Sequence, residues 1–276
     1  MKKQLAAIPY LAWMAIFIIL PMFLILGYSV ITVSEHGVIK LTSNYLLQVF
    51  NPLFLRVILF SFRTAFLSTL ACFIIGYPIA YILAGNTFKR KGTLLFLLLA
   101  PMWMNFLLRT YAWLTLLERN GIINNLLTLL NMPNIRIINT QWAVLIGMVY
   151  NFLPFMILPI YLAISKIDSS LIEAANDLGA SRWNVFRRVI FPLSLAGVFS
   201  GFLLVFMPAV TTFVIPQLLG GTDILIGNII QRQFTDAGNW ALGSALSAFL
   251  MVIILAMVAF TSRRGGRLEG RGGGLI

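Results

Sequence analysis

The chain has 276 residues, of which 60% are hydrophobic and 10% charged, with a mean hydropathy of +0.93 and a formal net charge of +12. Soluble domains carry roughly 25% charged residues, so this composition excludes a soluble globule and identifies an integral membrane protein. The lone Cys72 excludes a disulfide scaffold and sits in an apolar run as a small buried hydrophobe.

Crossing about 30 Å of hydrocarbon at 1.5 Å per residue takes about 20 apolar residues. Six runs of that order follow one another, near Ile8 to Ile31, Val57 to Ala84, Leu94 to Leu117, Trp142 to Ile164, Leu195 to Leu219 and Trp240 to Thr261. They predict an all-α, polytopic membrane protein with about six transmembrane helices. Lys2 and Lys3 precede the first run as in a signal peptide, but the run is longer than the 7 to 15 apolar residues usual there, so it reads as an uncleaved span. The stretch from Val33 to Arg56 has room for an outer interfacial helix.

With the N-terminus inside, the cytoplasmic loops receive Lys2, Lys3, Lys89, Arg90, Lys91, Lys166, Arg182, Arg187, Arg188, Arg263, Arg264, Arg267 and Arg271. The outer side receives only Lys40, Arg56, Arg119, Arg136 and Arg232. The positive-inside rule then places both termini in the cytoplasm and accounts for the basic balance without a nucleic-acid partner. Residues 1–264 form one membrane domain, and residues 265–276, glycines interleaved with arginines, read as a flexible basic tail attracted to membrane lipid.

Within the spans, Pro78, Pro101, Pro154, Pro159, Pro208 and Pro216 interrupt backbone ladders that lipid cannot repair, so kinked helices are expected. In the third run, Trp103 follows Pro101 and precedes Asn105, where a kink beside a polar group suggests a cavity. Trp103, Tyr111, Trp113 and Trp240 are candidates for a solute path, although aromatics at span ends also form interfacial belts. Arg63 and Arg109 are the only charges inside the runs. Each either snorkels to headgroups or lines the path. The acids Glu35, Glu118, Asp168, Glu173, Asp177, Asp223, Asp236 and Glu269 all fall outside the runs, with Asp223 and Asp236 in the outer loop before the last span. His36 stands alone, and no constellation of nucleophile, base or metal ligands suggests an enzyme.

The loop from Ser165 to Pro192 falls on the cytoplasmic side. Ser170 and Glu173 have capping-box spacing, which predicts a helix from Leu171. Gly179 should end it, and Ser181 should cap a second helix carrying Trp183, Phe186, Val189 and Ile190 until Pro192 breaks it. The expected product is a helix, turn, helix lying on the membrane face. On helix physics alone, Glu173 is equally well read as a mere cap and the arginines as interfacial charges.

The string Glu173-Ala174-Ala175-Asn176-Asp177-Leu178-Gly179-Ala180-Ser181, closed by Pro192, resembles the EAA loop of ATP-binding-cassette importer permeases. Val189 and Phe191 stand where that pattern usually has aliphatic Ile and Leu. Segments such as Gly76 to Tyr81, Pro101 to Trp103, Leu108 to Trp113 and Leu219 to Gly221 extend the resemblance to the spermidine/putrescine importer permeases of the PotB type, with ferric iron, thiosulfate and phosphonate permeases sharing parts of it. The resemblance implies a type I importer permease fold in a bacterial inner membrane. It also implies that Glu173, Ala174, Ala175, Asp177, Gly179, Ala180, Ser181, Trp183 and Pro192 contact an ATPase. For a polycationic solute, residue chemistry and position make Trp103, Asn105, Arg109, Tyr111, Asp223 and Asp236 the candidates for the substrate path. The implied partners are an ATPase dimer, a second PotC-type permease and an extracytoplasmic binding protein. The sequence has no phosphate-binding G-x-x-x-x-G-K-[ST] loop, so ATP and Mg are expected on the partner ATPase and no cofactor on this chain.

Overall fold

The computed structural model describes residues 8–33, 39–85, 90–222 and 224–272. Its helices are α1 (Pro9–Val30), which contains a π turn at Ala15–Ile19, then α2 (Asn44–Gln48), α3 (Pro52–Ala84) and α4 (Lys91–Leu99). There follow α5 (Phe106–Leu117), α6 (Ile122–Leu129), α7 (Gln141–Ser165), α8 (Ser169–Asp177) and α9 (Arg182–Thr211). The last three are α10 (Val214–Leu219), α11 (Ile226–Thr235) and α12 (Trp240–Gly272). The only sheet among the described residues is a hairpin, β1 (Ile31–Val33) against β2 (Ile39–Leu41), in which Thr32 pairs with Lys40.

Five helices are long and apolar enough to cross a membrane, and a sixth span results if the bent pair Lys91–Trp103 and Phe106–Leu129 counts as one. The break falls at Pro101 to Asn105, where the sequence leads to a kink being expected. A 3-10 turn at Ala100–Trp103 carries the chain off α4, and the axis bends by 92° before α5. Pro101 causes this in part, since it cannot donate to the helical ladder. Asn105 completes it by capping α5, its side chain accepting a hydrogen bond from the Leu107 N–H at 2.8 Å. Among the described residues between Val33 and Arg56 the chain forms β2 and the short helix α2 before α3 begins at Pro52. The fifth apolar run also divides, α9 ending at Thr211 and α10 beginning at Val214.

Contacts divide the chain into two compact units, one made of residues up to Leu59 with Ile226–Ala256, the other of Phe60–Leu225 with residues from Met257 on. In the first, Phe50 meets Phe249 edge-on at 5.7 Å and Trp240 meets both Tyr28 and Phe234. The second is built on the packing of α7 against α9. Gly197 and Gly201 stand four residues apart on α9, and a Cβ at Gly197 would come 2.6 Å from both the Ala163 Cβ and the Pro159 carbonyl. One at Gly201 would come 2.9 Å from the Met156 sulfur. Lipid tails are as apolar as leucine, so helix pairing in a bilayer depends on such close van der Waals approach between small residues. Met156, Ile157 and Ile160 of α7 and Val205, Ala209 and Val210 of α9 are buried around this contact.

Candidate functional site

The polar loop between α7 and α9 folds into a tight elbow. Helix α8 starts two residues before the position expected from the capping box, because Asp168 is its cap, the carboxylate accepting from the Ser170 N–H at 3.0 Å. That bond holds the Asp168 carboxyl below the usual carboxylate range, with the Ser170 hydroxyl adding to the effect. The consequence falls on Glu173. Its side chain is exposed and bonds nothing among the described residues.

The other end of α8 closes on Gly179, which takes φ +77°. The Gly179 N–H reaches the Asn176 carbonyl at 2.8 Å and the Ala180 N–H reaches the Ala175 carbonyl at 3.0 Å, a Schellman closure that satisfies the last free carbonyls. A residue with a Cβ is disfavoured there by its backbone, although the space around it is open. Ser181 then caps the following helix by accepting from the Asn184 N–H. Around this turn the apolar side chains point outward, with Leu178 at 89% exposure and Trp183 at 66%. Ala174, Asp177 and Ser181 are exposed beside them, and Ala175 and Ala180 are half-buried.

Pro192 does not end the second helix as expected. From Arg182 to Thr211 the helix is continuous, and the strain of an internal proline is taken up by a π turn at Phe186–Ile190, whose Phe191 N–H bonds the Phe186 carbonyl. The wider turn moves the carbonyl one turn back away from the proline ring, where a regular α-helix would collide with it. The elbow is therefore the start of a span rather than a separate helix on the membrane face, and the sequence gives no π-turn signal beyond Pro192 itself.

The expected path residues are less concentrated. Trp103, Asn105, Arg109 and Tyr111 all lie on the broken third span, whereas Asp236 belongs to the other unit and Asp223 lies outside the described residues. Trp103 is 74% exposed with its ring edge-on to Phe96 at 5.2 Å, and Asn105 is occupied as a cap. Tyr111 is exposed. Arg109 is buried at 8% exposure, its guanidinium 5.9 Å from the Phe106 ring centre and its Nε without a hydrogen-bond partner, so it neither snorkels nor presents much surface to a path. Arg63 is exposed on α3. Among the described residues no group of three or more potential metal ligands occurs.

Residues 65–264 match the family model of the binding-protein-dependent transport system inner membrane component. The chain is 40% identical to the spermidine/putrescine transport system permease protein PotB of Escherichia coli K12 over 252 residues, covering 89% of this chain and 91% of that protein. It is 40% identical to the Haemophilus influenzae PotB over 94% of this chain and 92% of that one. The E. coli inner membrane ABC transporter permease YdcU is 30% identical over 82% of this chain and 77% of its own length. Among solved structures, a chain of a bacterial ABC transporter that imports the acidic polysaccharide alginate superposes with a TM-score of 0.80 at 18% identity, over 96% of this chain and 94% of that one. A capped, exposed elbow continuous with a span, a match running from the second span to the sixth, and relatives alike over nine-tenths of their length agree, and the chain belongs to the family of binding-protein-dependent ABC importer permeases of the inner membrane.

Proposed function

We propose that the chain is one permease subunit of an ATP-driven polyamine importer, and that its elbow is the surface gripped by the ATPase. The observation that carries the coupling role is the elbow itself. Leu178 and Trp183 are exposed where burial would be favourable, Glu173 is unbonded, and two caps and a Schellman closure hold all three in fixed relation. A surface so preorganised loses little entropy on docking. Both termini and this loop face the cytoplasm in accord with the positive charge bias.

The ATPase dimer binds ATP and Mg, a second related permease completes the translocation path, and an extracytoplasmic binding protein delivers the solute. When the ATPase pair closes, its grip moves α8 and the start of α9 together. The span follows because no break separates it from the elbow. Differential contacts between the open and closed states of the ATPase thus bias the inward- and outward-facing states of the permease.

The polyamine assignment rests on the 40% identity to the spermidine/putrescine permeases along nearly the whole chain. The burial of Arg109 supports it, since a cation sealed against its own Phe106 repels a polycation less than one lining the path. Trp103 and Tyr111 supply exposed aromatic faces suited to ammonium groups, each such contact contributing about 0.5–2 kcal/mol. The test is uptake by proteoliposomes containing the permease pair, ATPase and binding protein. Spermidine or putrescine should be imported only with ATP inside the ATPase-facing compartment. Import of an iron complex or an oxyanion in their place would overturn the substrate while leaving the coupling role intact.

A further inference from the structure

Helix α9 is covalently joined to the elbow and must move with it, but α3 has no such bond. What ties α3 to the elbow is one aromatic cluster. Phe186, the first residue of the π turn, stacks on Trp183 with ring centres 5.4 Å apart and planes 24° from parallel. On its other side it meets Tyr81 at 5.4 Å and Tyr77 at 5.8 Å, both edge-on, and Tyr77 and Tyr81 stand one helical turn apart on α3. Phe191 closes the group, 5.7 Å from Tyr77 and 6.2 Å from Phe186. Burial increases inward along this series, from Trp183 at the surface, through half-buried Phe186, to Tyr77 at 6% exposure.

The inner end of the cluster is pinned by hydrogen bonds. The Tyr77 hydroxyl and the Ser194 Oγ are 2.8 Å apart, and Ser194 also donates to the Phe191 carbonyl at 2.9 Å. These contacts cross from α3 to the π turn of α9 and to the turn that follows it. The π turn is the least regular part of that helix, so side chains rather than the backbone ladder set the geometry there. Edge-to-face ring contacts resist sliding because the positive ring edge seeks the negative face.

We propose that Phe186 is a positioning residue that transmits displacement of the elbow to α3, so that the second span tilts together with the fifth. This rests on the reading that the elbow docks on the ATPase. Trp183 receives the displacement, Phe186 passes it on, and Tyr77 and Tyr81 carry it into α3. Without the Phe186 ring the elbow still binds and still moves α9, but α3 is left behind.

The experiment uses the complete transporter in proteoliposomes and measures three quantities on each variant: ATPase retained on purification, ATP hydrolysed, and polyamine imported per ATP. Phe186→Ala should retain the ATPase and hydrolyse ATP, yet import about tenfold less per ATP, within the range usual for coupling between sites. Phe186→Tyr should restore the ratio. Tyr81→Ala removes one ring from the α3 side without touching the loop and should lower the same ratio, and combining it with Phe186→Ala should add little. Unchanged import per ATP in Phe186→Ala, or loss of bound ATPase in both single variants in step with uptake, overturns the transmission role. Failure of the unaltered permease to retain any ATPase would instead overturn the docking on which it rests.

Discussion

At Gly179 a single backbone conformation decides the shape of the elbow. With φ at +77°, any residue bearing a Cβ is disfavoured by about 1–2 kcal/mol, and an aspartate adds a charge where an apolar surface must pack. Gly179→Asp should therefore leave the permease folded and membrane-inserted but reduce the retained ATPase and uptake by at least about tenfold, the scale of one lost docking contact. Glu173→Lys should act alike, because among the described residues Glu173 has no partner to lose. Asp168 differs, since its role is internal. Its lowered pKa means that the cap is fully formed above the ordinary carboxylate range and is lost as the pH falls through the depressed value. Uptake limited by this cap should be level from neutral pH down to about pH 5, well above the ordinary aspartate range. Asp168→Asn, which caps without titrating, should match the unaltered protein at pH 7, whereas Asp168→Ala should not.

Among the elements, α7 and α9 form the pair on which the larger unit is built, and their approach depends on Gly197 and Gly201. Gly201→Val would drive a branched side chain into Met156 and should cost more than about 2 kcal/mol, read as a lowered Tm in detergent and poor recovery from membranes. Apolar runs of about 20 residues made most spans legible in the sequence, because the bilayer fixes length and composition together. Ser181 and Gly179 were equally legible, since helix capping and closure are local chemistry. The departures occurred where one feature competed with another. Asp168, two residues nearer the end of α7, displaced Ser170 as cap, and Pro192 was absorbed by a π turn because continuing the helix buries Ile190 and Val185. The kink at Pro101 to Asn105 was legible from the proline, but its 92° size was not, since hydropathy reports transfer to lipid and not the direction of the axis. The Gly197–Gly201 contact was also missed, because small residues in a span signal close packing only once the partner helix is known.

At the scale of the whole molecule, the chain lacks a nucleotide-binding loop, and on the proposed function the ATP chemistry belongs to a partner that the elbow meets. The exposed aromatics Trp103 and Tyr111 lie on the third span. On the proposed function the turn around Leu178 faces the cytoplasm under an ATPase, and the cysteine content makes that directly measurable. Cys72 is the only cysteine and is buried, so Leu178→Cys in a Cys72→Ser background places one accessible thiol at the tip of the elbow. A membrane-impermeant maleimide should label it in inside-out but not right-side-out vesicles, and bound ATPase should protect it. Labelling from the outer face, or labelling unaffected by the ATPase, would contradict the account.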